Sequence, residues 1–292
     1  MNRRRMMALA AGASLTARPP EARGTAVTTP DGQRLSVLDR GQGRPVVLIH
    51  GWSLGAEIWQ LQVDSLVAAG LRVVAYDRRG HAGSDKPGNG YDFDILAADL
   101  AAVLKQRALR DVVLVGHSMG AGEVARYLAR FGRDRIARAA LVAPTTPFAL
   151  RTPDNPEGVE GAVYDKMVSA LQADPDGYLA AGAPGFFGRN AEPELVEWGL
   201  ALARRASLPA LVQCLRAFSR TDFRPDMAAF ALPSLIVWGS GDAPSMASNV
   251  RRTAAAIPGS RTILYEGAPH GLFLTEAARF NRDLIGFARA DA

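Results

Sequence analysis

Short apolar runs recur along the chain, each followed by a stretch with helical spacing. Pro45–His50 (PVVLIH), Leu71–Tyr76 (LRVVAY), Val112–Val115, Ile136–Val142, Leu232–Trp238 (LPSLIVW) and Thr262–Tyr265 are apolar at nearly consecutive positions. Strands that read this way are buried on both faces. Ile58–Ala69, Phe93–Ala108, Met119–Phe131 and Gly271–Ala290 instead carry apolar residues three and four apart. That spacing predicts helices. The alternation predicts a parallel sheet covered on both sides. Ahead of it, TAVTTPDGQRLSVLDRG alternates on either side of Pro30-Asp31-Gly32, which predicts a β-hairpin.

From Thr146 to Phe230 the alternation stops. This stretch is mostly helical in pattern, with breaks at DNPEG, DPDG and GAPGFFG. The expected organisation is an α/β core formed by residues 25–145 and 231–292, interrupted by a helical cap, or lid, over 146–230. Residues 1–24 form a separate leader.

Hydrophobic content of 48% and charged content of 22% are those of an ordinary globular protein. The formal charge of +5 is unevenly placed: residues 1–24 hold five arginines against Glu21, so the body carries only +1. It has no basic stripe with interleaved aromatics, which argues against nucleic acid. The leader has Arg3, Arg4 and Arg5, then an apolar stretch from Met6 to Ala17, then Pro19-Pro20. This is the form of a secretory signal of the twin-arginine type, so export to the periplasm or medium is expected, with a cytoplasmic location as the alternative. No apolar run reaches the roughly 18 residues of a permanent membrane span. Cys214 is the one cysteine, within LVQCLRAF, and reads as a small buried apolar residue.

The chemistry concentrates at Val112–Tyr127 (VVLVGHSMGAGEVARY). Ser118 sits between Gly116 and Gly120, where a predicted strand runs into a predicted helix. In G-x-S-x-G the nucleophile occupies a strained strand-to-helix turn, and the flanking glycines leave room for it. The helix beginning at Met119 aims its first N–H groups where negative charge develops.

A serine nucleophile needs a base. Of His50, His81, His117 and His270, only His270 follows Ser118, as the chain order nucleophile, acid, histidine requires. It lies just past the strand Thr262–Tyr265. The other histidines read as structural. Asp242 follows Leu232–Trp238 at the same edge of the sheet and is the expected acid; Asp222 and Glu266 are competitors. Oxyanion donors are expected from the backbone N–H of Met119 and from Trp52, in the loop His50-Gly51-Trp52. The charged turn Asp77-Arg78-Arg79-Gly80 reads either as a substrate-carboxylate site or, more in keeping with such turns, as a tie between loops. Phe148, Phe186, Phe187, Trp198 and Phe218 are candidates either for an acyl pocket or for the core of the cap.

Together these residues resemble the α/β-hydrolase fold, and within it the cofactor-free haloperoxidase and aryl esterase group. VVLIHGWSLGAEIW, LRVVAYDRRGHAGSDKP, GHSMGAGEVARY, FFGRN, AFSRTDF and YEGAPHGLFLTEAARFNRDLIGF all look like that group, from about Thr25 to the C-terminus. The resemblance implies a triad of Ser118, Asp242 and His270, an oxyanion hole from the Trp52 and Met119 amides, and neither metal nor organic cofactor. The implied activity is hydrolysis of small or aryl esters, or lactones, through an acyl-serine. The alternative is perhydrolysis, in which hydrogen peroxide attacks the same acyl-enzyme. A catalytically silent ligand-binding protein on this fold is a third reading. The chain departs from strong perhydrolases of the group at Ser53, where they carry proline, and at Ala243-Pro244-Ser245, where they carry an apolar-Val-Pro pattern. Both departures favour water. The implied partner is a small-molecule ester; self-association into a homo-oligomer stays open.

Overall fold

The apolar runs pair side by side, as their double-sided burial demands. A computed structural model describes residues 26–290. The leader, with its arginines, lies outside the described residues. The strands are β1 (Val27–Thr28), β2 (Arg34–Leu35), β3 (Val37–Arg40), β4 (Pro45–Ile49), β5 (Arg72–Tyr76), β6 (Val112–His117), β7 (Ile136–Val142), β8 (Ser234–Gly239) and β9 (Arg261–Tyr265). Seven of them form one sheet in the order β3-β5-β4-β6-β7-β8-β9. Only β3 runs antiparallel to its neighbour.

The expected hairpin forms, but only over β1 and β2. Ser36 ends it. Its N–H donates to Ser84 Oγ and its carbonyl accepts from Asp77 N–H, which diverts the rest of the run into the main sheet as β3.

Both faces of the sheet are covered. Val47 and Ile49 of β4 pack with Leu96 and Leu100 of α2 (Phe93–Gln106) and Val124 and Leu128 of α3 (Met119–Phe131). Val46 and Leu48 point the opposite way. They join Val63 and Leu66 of α1 (Gln60–Ala68) and Phe280 and Leu284 of α10 (Ala277–Arg289). Successive strand residues thus serve opposite cores, the reason the runs lack polar alternation. The Gly271–Ala290 stretch is broken into α9 (Leu272–Thr275) and α10 at Glu276, whose backbone leaves the helical range at φ −118°, ψ +31°.

Between β7 and β8 lie α4 (Gly161–Ala173), α5 (Pro175–Phe187), α6 (Pro193–Ala203) and α7 (Leu208–Arg220); α8 (Pro244–Ala256) follows β8. Proline opens α5, α6 and α7, where its missing N–H is harmless. Asp174 and Ser207 cap α5 and α7 by accepting from Gly177 and Ala210 N–H. Tyr164, Val168 and Leu171 of α4 meet Leu211, Val212 and Leu215 of α7 in a core separate from the two on the sheet faces. No helix among the described residues is long and apolar enough to cross a membrane.

Candidate active site

The turn between β6 and α3 forces Ser118 into φ +54°, ψ −115°. Few side-chain-bearing residues adopt such a backbone, which costs about 1–3 kcal/mol. The glycines explain how the turn closes. A β-carbon on Gly116 would lie 2.5 Å from the Gly120 carbonyl oxygen, and one on Gly120 would lie 2.6 Å from the Ile49 oxygen. Ser118 is held by its main chain: its N–H donates to the Val142 carbonyl, and its own carbonyl accepts from Ala121 N–H and from the Thr145 N–H and hydroxyl. Among the described residues its own hydroxyl has no hydrogen-bonded partner.

Asp242 lies beyond β8 on a turn of close backbone contacts, with Gly239 against the Ala268 carbonyl. Its Oδ1 accepts from Ala243 N–H at 2.7 Å, and its Oδ2 lies 2.6 Å from His270 Nδ1. That contact assigns the proton on Nδ1 to Asp242 and leaves Nε2 free to accept. The His270 loop is steadied from α5, since His270 and Gly271 N–H donate to the Gly185 and Phe186 carbonyls. The His270 ring lies 4.8 Å from that of His117, the residue before Ser118. The competitors stand elsewhere: Asp222 pairs with Arg224 at 2.6 Å, and Glu266 accepts from Ser240 Oγ.

The Trp52 loop crosses beside Ser118. A β-carbon on Gly51 would be 3.4 Å from Ser118 Cβ and 2.6 Å from His117 Nδ1, so this approach needs glycine. Among the described residues the backbone N–H groups of Trp52 and Met119 have no acceptor. The Trp52 indole N–H donates to the Leu211 carbonyl of α7 at 2.8 Å, and its ring meets Tyr178 of α5 edge-on. Trp52 thus touches both sheet-face cores and the inserted helices at once.

The remaining histidines are buried and neutral. Burial pushes His117 far below the usual histidine range, with His270 nearby adding to the effect. Its Nε2 donates to the His270 carbonyl at 3.2 Å. Burial and the Arg78 charge likewise depress His50, and they bring His81 down to about 3. Cys214 is buried and its thiol is pushed up to about 12, chiefly by burial, so it stays an unreactive thiol.

Arg78 and Arg79 are ties, not a substrate-carboxylate site. Arg79 is bidentate to Asp99 and also pairs with Asp31; Arg78 pairs with Glu123. Of the five aromatics, only Phe186 meets the candidate site, 5.9 Å from His117 and 6.0 Å from His270. Phe187 packs against Gly199, Phe218 against Tyr164, and Phe148 beneath Arg224; Trp198 packs beside the core that α1 and α10 share with the sheet.

Sequence reasoning missed three supports. Thr145 braces the Ser118 carbonyl, and Asn249 of α8 donates to the Thr145 carbonyl. Nothing local marks either. Glu123 did leave a signal: with Met119 and Tyr127 it forms a buried stripe four residues apart on α3, where a carboxylate is out of place unless paired.

A sequence profile described as the alpha/beta hydrolase family matches residues 46–283, and the chain belongs to that family. It is 40% identical over 271 residues to the non-heme chloroperoxidase CPO-A1 of Kitasatospora aureofaciens, covering 89% of this chain and 98% of that one. It is 35% identical over 278 residues to the bifunctional esterase/perhydrolase DCH of Acinetobacter calcoaceticus, covering 90% and 99%. Among solved structures, the bromoperoxidase from Bacillus anthracis superposes with a TM-score of 0.87 at 36% identity, covering 92% of this chain and all of that one. An esterase from Exiguobacterium antarcticum gives 0.89 at 28% identity, covering 91% and 100%.

Proposed function

We propose that the protein is a serine-dependent carboxylic ester hydrolase acting on small or aryl esters, lactones among them. His270 Nε2 takes the Ser118 proton as Oγ attacks the acyl carbonyl. The Trp52 and Met119 N–H groups receive the developing oxyanion. His270 then returns the proton to the leaving alcohol, and water, activated by the same imidazole, releases the acid and frees Ser118. Asp242 keeps the imidazole in the tautomer with Nε2 free and stabilises its charged form. The observation that carries the reading is the 2.6 Å contact of Asp242 with His270, whose ring lies 4.8 Å from that of His117, the residue before a strained serine with an unpaired hydroxyl. The helices of 146–230 act as the cap, with Trp52, Tyr178 and Phe186 facing the acyl group.

Perhydrolysis is the second reading, favoured by relatives named chloroperoxidase and esterase/perhydrolase. Against it, Ser53 stands at φ +65°, a value closed to proline, whose ring holds φ near −65°. The loop of a proline-bearing perhydrolase therefore needs a different backbone here, and water is the favoured acceptor. Residues 1–24 we assign to export, tested by whether Arg3–Arg5 changed to lysine traps the protein in the cytoplasm.

The test is turnover of p-nitrophenyl acetate and butyrate by wild type and Ser118→Ala, with and without hydrogen peroxide. The expected result is a loss of at least about 10³-fold in the variant, with acid rather than peracid as the main product. An inert wild type would leave a ligand-binding role as the better reading. Equal activity in the variant would remove Ser118 from the mechanism.

A further inference from the structure

Behind the Trp52 loop lies a buried polar cluster that the chemistry above does not use. Arg78 is 1% exposed and His50 and Glu123 are fully buried. The Arg78 guanidinium donates to the His50 carbonyl at 2.6 Å and the Gly51 carbonyl at 3.2 Å, while Glu123 accepts from it and from the Tyr76 hydroxyl. The Arg78 backbone N–H donates to His50 Nε2 at 3.0 Å. His50 is therefore protonated at Nδ1 alone, and that N–H donates to the Gly51 carbonyl at 2.8 Å. Two donors, from the loops after β4 and β5, thus converge on one carbonyl oxygen.

That oxygen belongs to the same peptide unit as the Trp52 N–H. The Gly51–Trp52 bond is trans, so its C=O and N–H point in opposite directions. Fixing the oxygen fixes the aim of the hydrogen. The unit needs fixing, because close approach to His117 and Ser118 demands glycine at position 51, and glycine leaves the preceding torsion soft. A flipped unit would turn a carbonyl dipole toward the developing oxyanion in place of a donor.

We infer that His50 and Arg78 are positioning residues that clamp the Gly51–Trp52 peptide, holding the Trp52 N–H toward the oxyanion. The inference rests on the ester-hydrolase reading. The clamp acts on the transition state, where the oxyanion is full, more than on the ground state.

The experiment compares His50→Phe, His50→Asn and His50→Gln with wild type and Ser118→Ala on p-nitrophenyl acetate. Inhibition by phenylboronic acid, whose tetrahedral adduct on a serine presents an anionic oxygen, is measured alongside. Asn can offer an N–H near the Nδ1 position; Phe offers none, and the longer Gln reaches the Nε2 position. His50→Phe should lose roughly 10- to 100-fold in kcat with KM within about threefold, less than the 10²–10³-fold of deleting a donor outright, since the N–H remains and is only misaimed. Boronate affinity should fall in step with kcat/KM. Asn should restore most of the activity and Gln little. If His50→Phe does not fold, the Asn and Gln pair decides alone. For Arg78, the pair change Arg78→Met with Glu123→Gln leaves no unpaired buried charge and should lower kcat in the same way. A folded His50→Phe with wild-type kcat, a change confined to KM, or Gln matching Asn overturns the clamp. An inactive Ser118→Ala beside an intact His50→Phe sinks the clamp and spares the hydrolase reading; an active Ser118→Ala sinks both.

Discussion

Replacing Ser118 separates the strain of the elbow from its chemistry. The hydroxyl has no hydrogen-bonded partner among the described residues, so neither Ser118→Ala nor Ser118→Gly breaks a bond in the folded state. The two variants differ by one β-carbon at φ +54°, ψ −115°. That backbone costs a residue with a β-carbon about 1–3 kcal/mol and costs glycine nothing. Glycine gives back about 0.5–1 kcal/mol through its freer unfolded chain. The expected balance is Ser118→Gly more stable than Ser118→Ala by about 1 kcal/mol, a rise in Tm of roughly 2 °C for a chain of this size. Urea unfolding and calorimetry of both variants read this directly, and both should lose ester turnover equally. Alanine matching or exceeding glycine in stability would refute the reasoning: the elbow would then not be strained, and its exposure of the hydroxyl would need another cause.

Two other outcomes follow from the site. Asp242→Asn should lower kcat by about 10⁴-fold with little change in KM, because an amide no longer selects the tautomer with Nε2 free; a loss under tenfold on p-nitrophenyl acetate would remove Asp242 from that role. The depressed pKa of His81, about 3 when folded, means the unfolded chain takes up a proton that the folded chain refuses below the ordinary value near 6.5. Its share of stability is therefore complete above about pH 6.5 and lost as pH falls toward 3, about 2 kcal/mol of it by pH 5. His81→Asn, which keeps a donor for the Arg79 carbonyl, should flatten the fall in urea stability between pH 7 and 5 by that amount; an unchanged slope would show that His81 does not stay neutral in the fold.

What could be read in the linear chain was what short range determines. The elbow was legible because its residue pattern falls within five residues, Gly116 to Gly120, even though the crowding at Gly120 comes from the distant Ile49 carbonyl. The strands were legible because burial on both faces leaves an unbroken apolar run, and His270 because chain order left one histidine to choose. Boundaries were looser where hydrogen bonds from afar intervened, as Ser36 shows.

Three acids were open to the sequence, and only the parallel placement of β8 beside β9 set Asp242 against His270 and left Asp222 and Glu266 to other partners. The clamp on Gly51 joins residues 27 and 45 positions apart in the chain, so no local pattern announces it. Its arginine, read as a tie with a substrate-carboxylate site as the other option, was settled as a tie when the fold buried it against Glu123. The sequence by itself determined which groups can react and how each turn must bend, because those follow from covalent geometry and nearest neighbours. Which groups meet, which charges are sealed from water and which way a peptide points were decided only by the packing of the sheet and its helices, because distance and dielectric are properties of the folded chain.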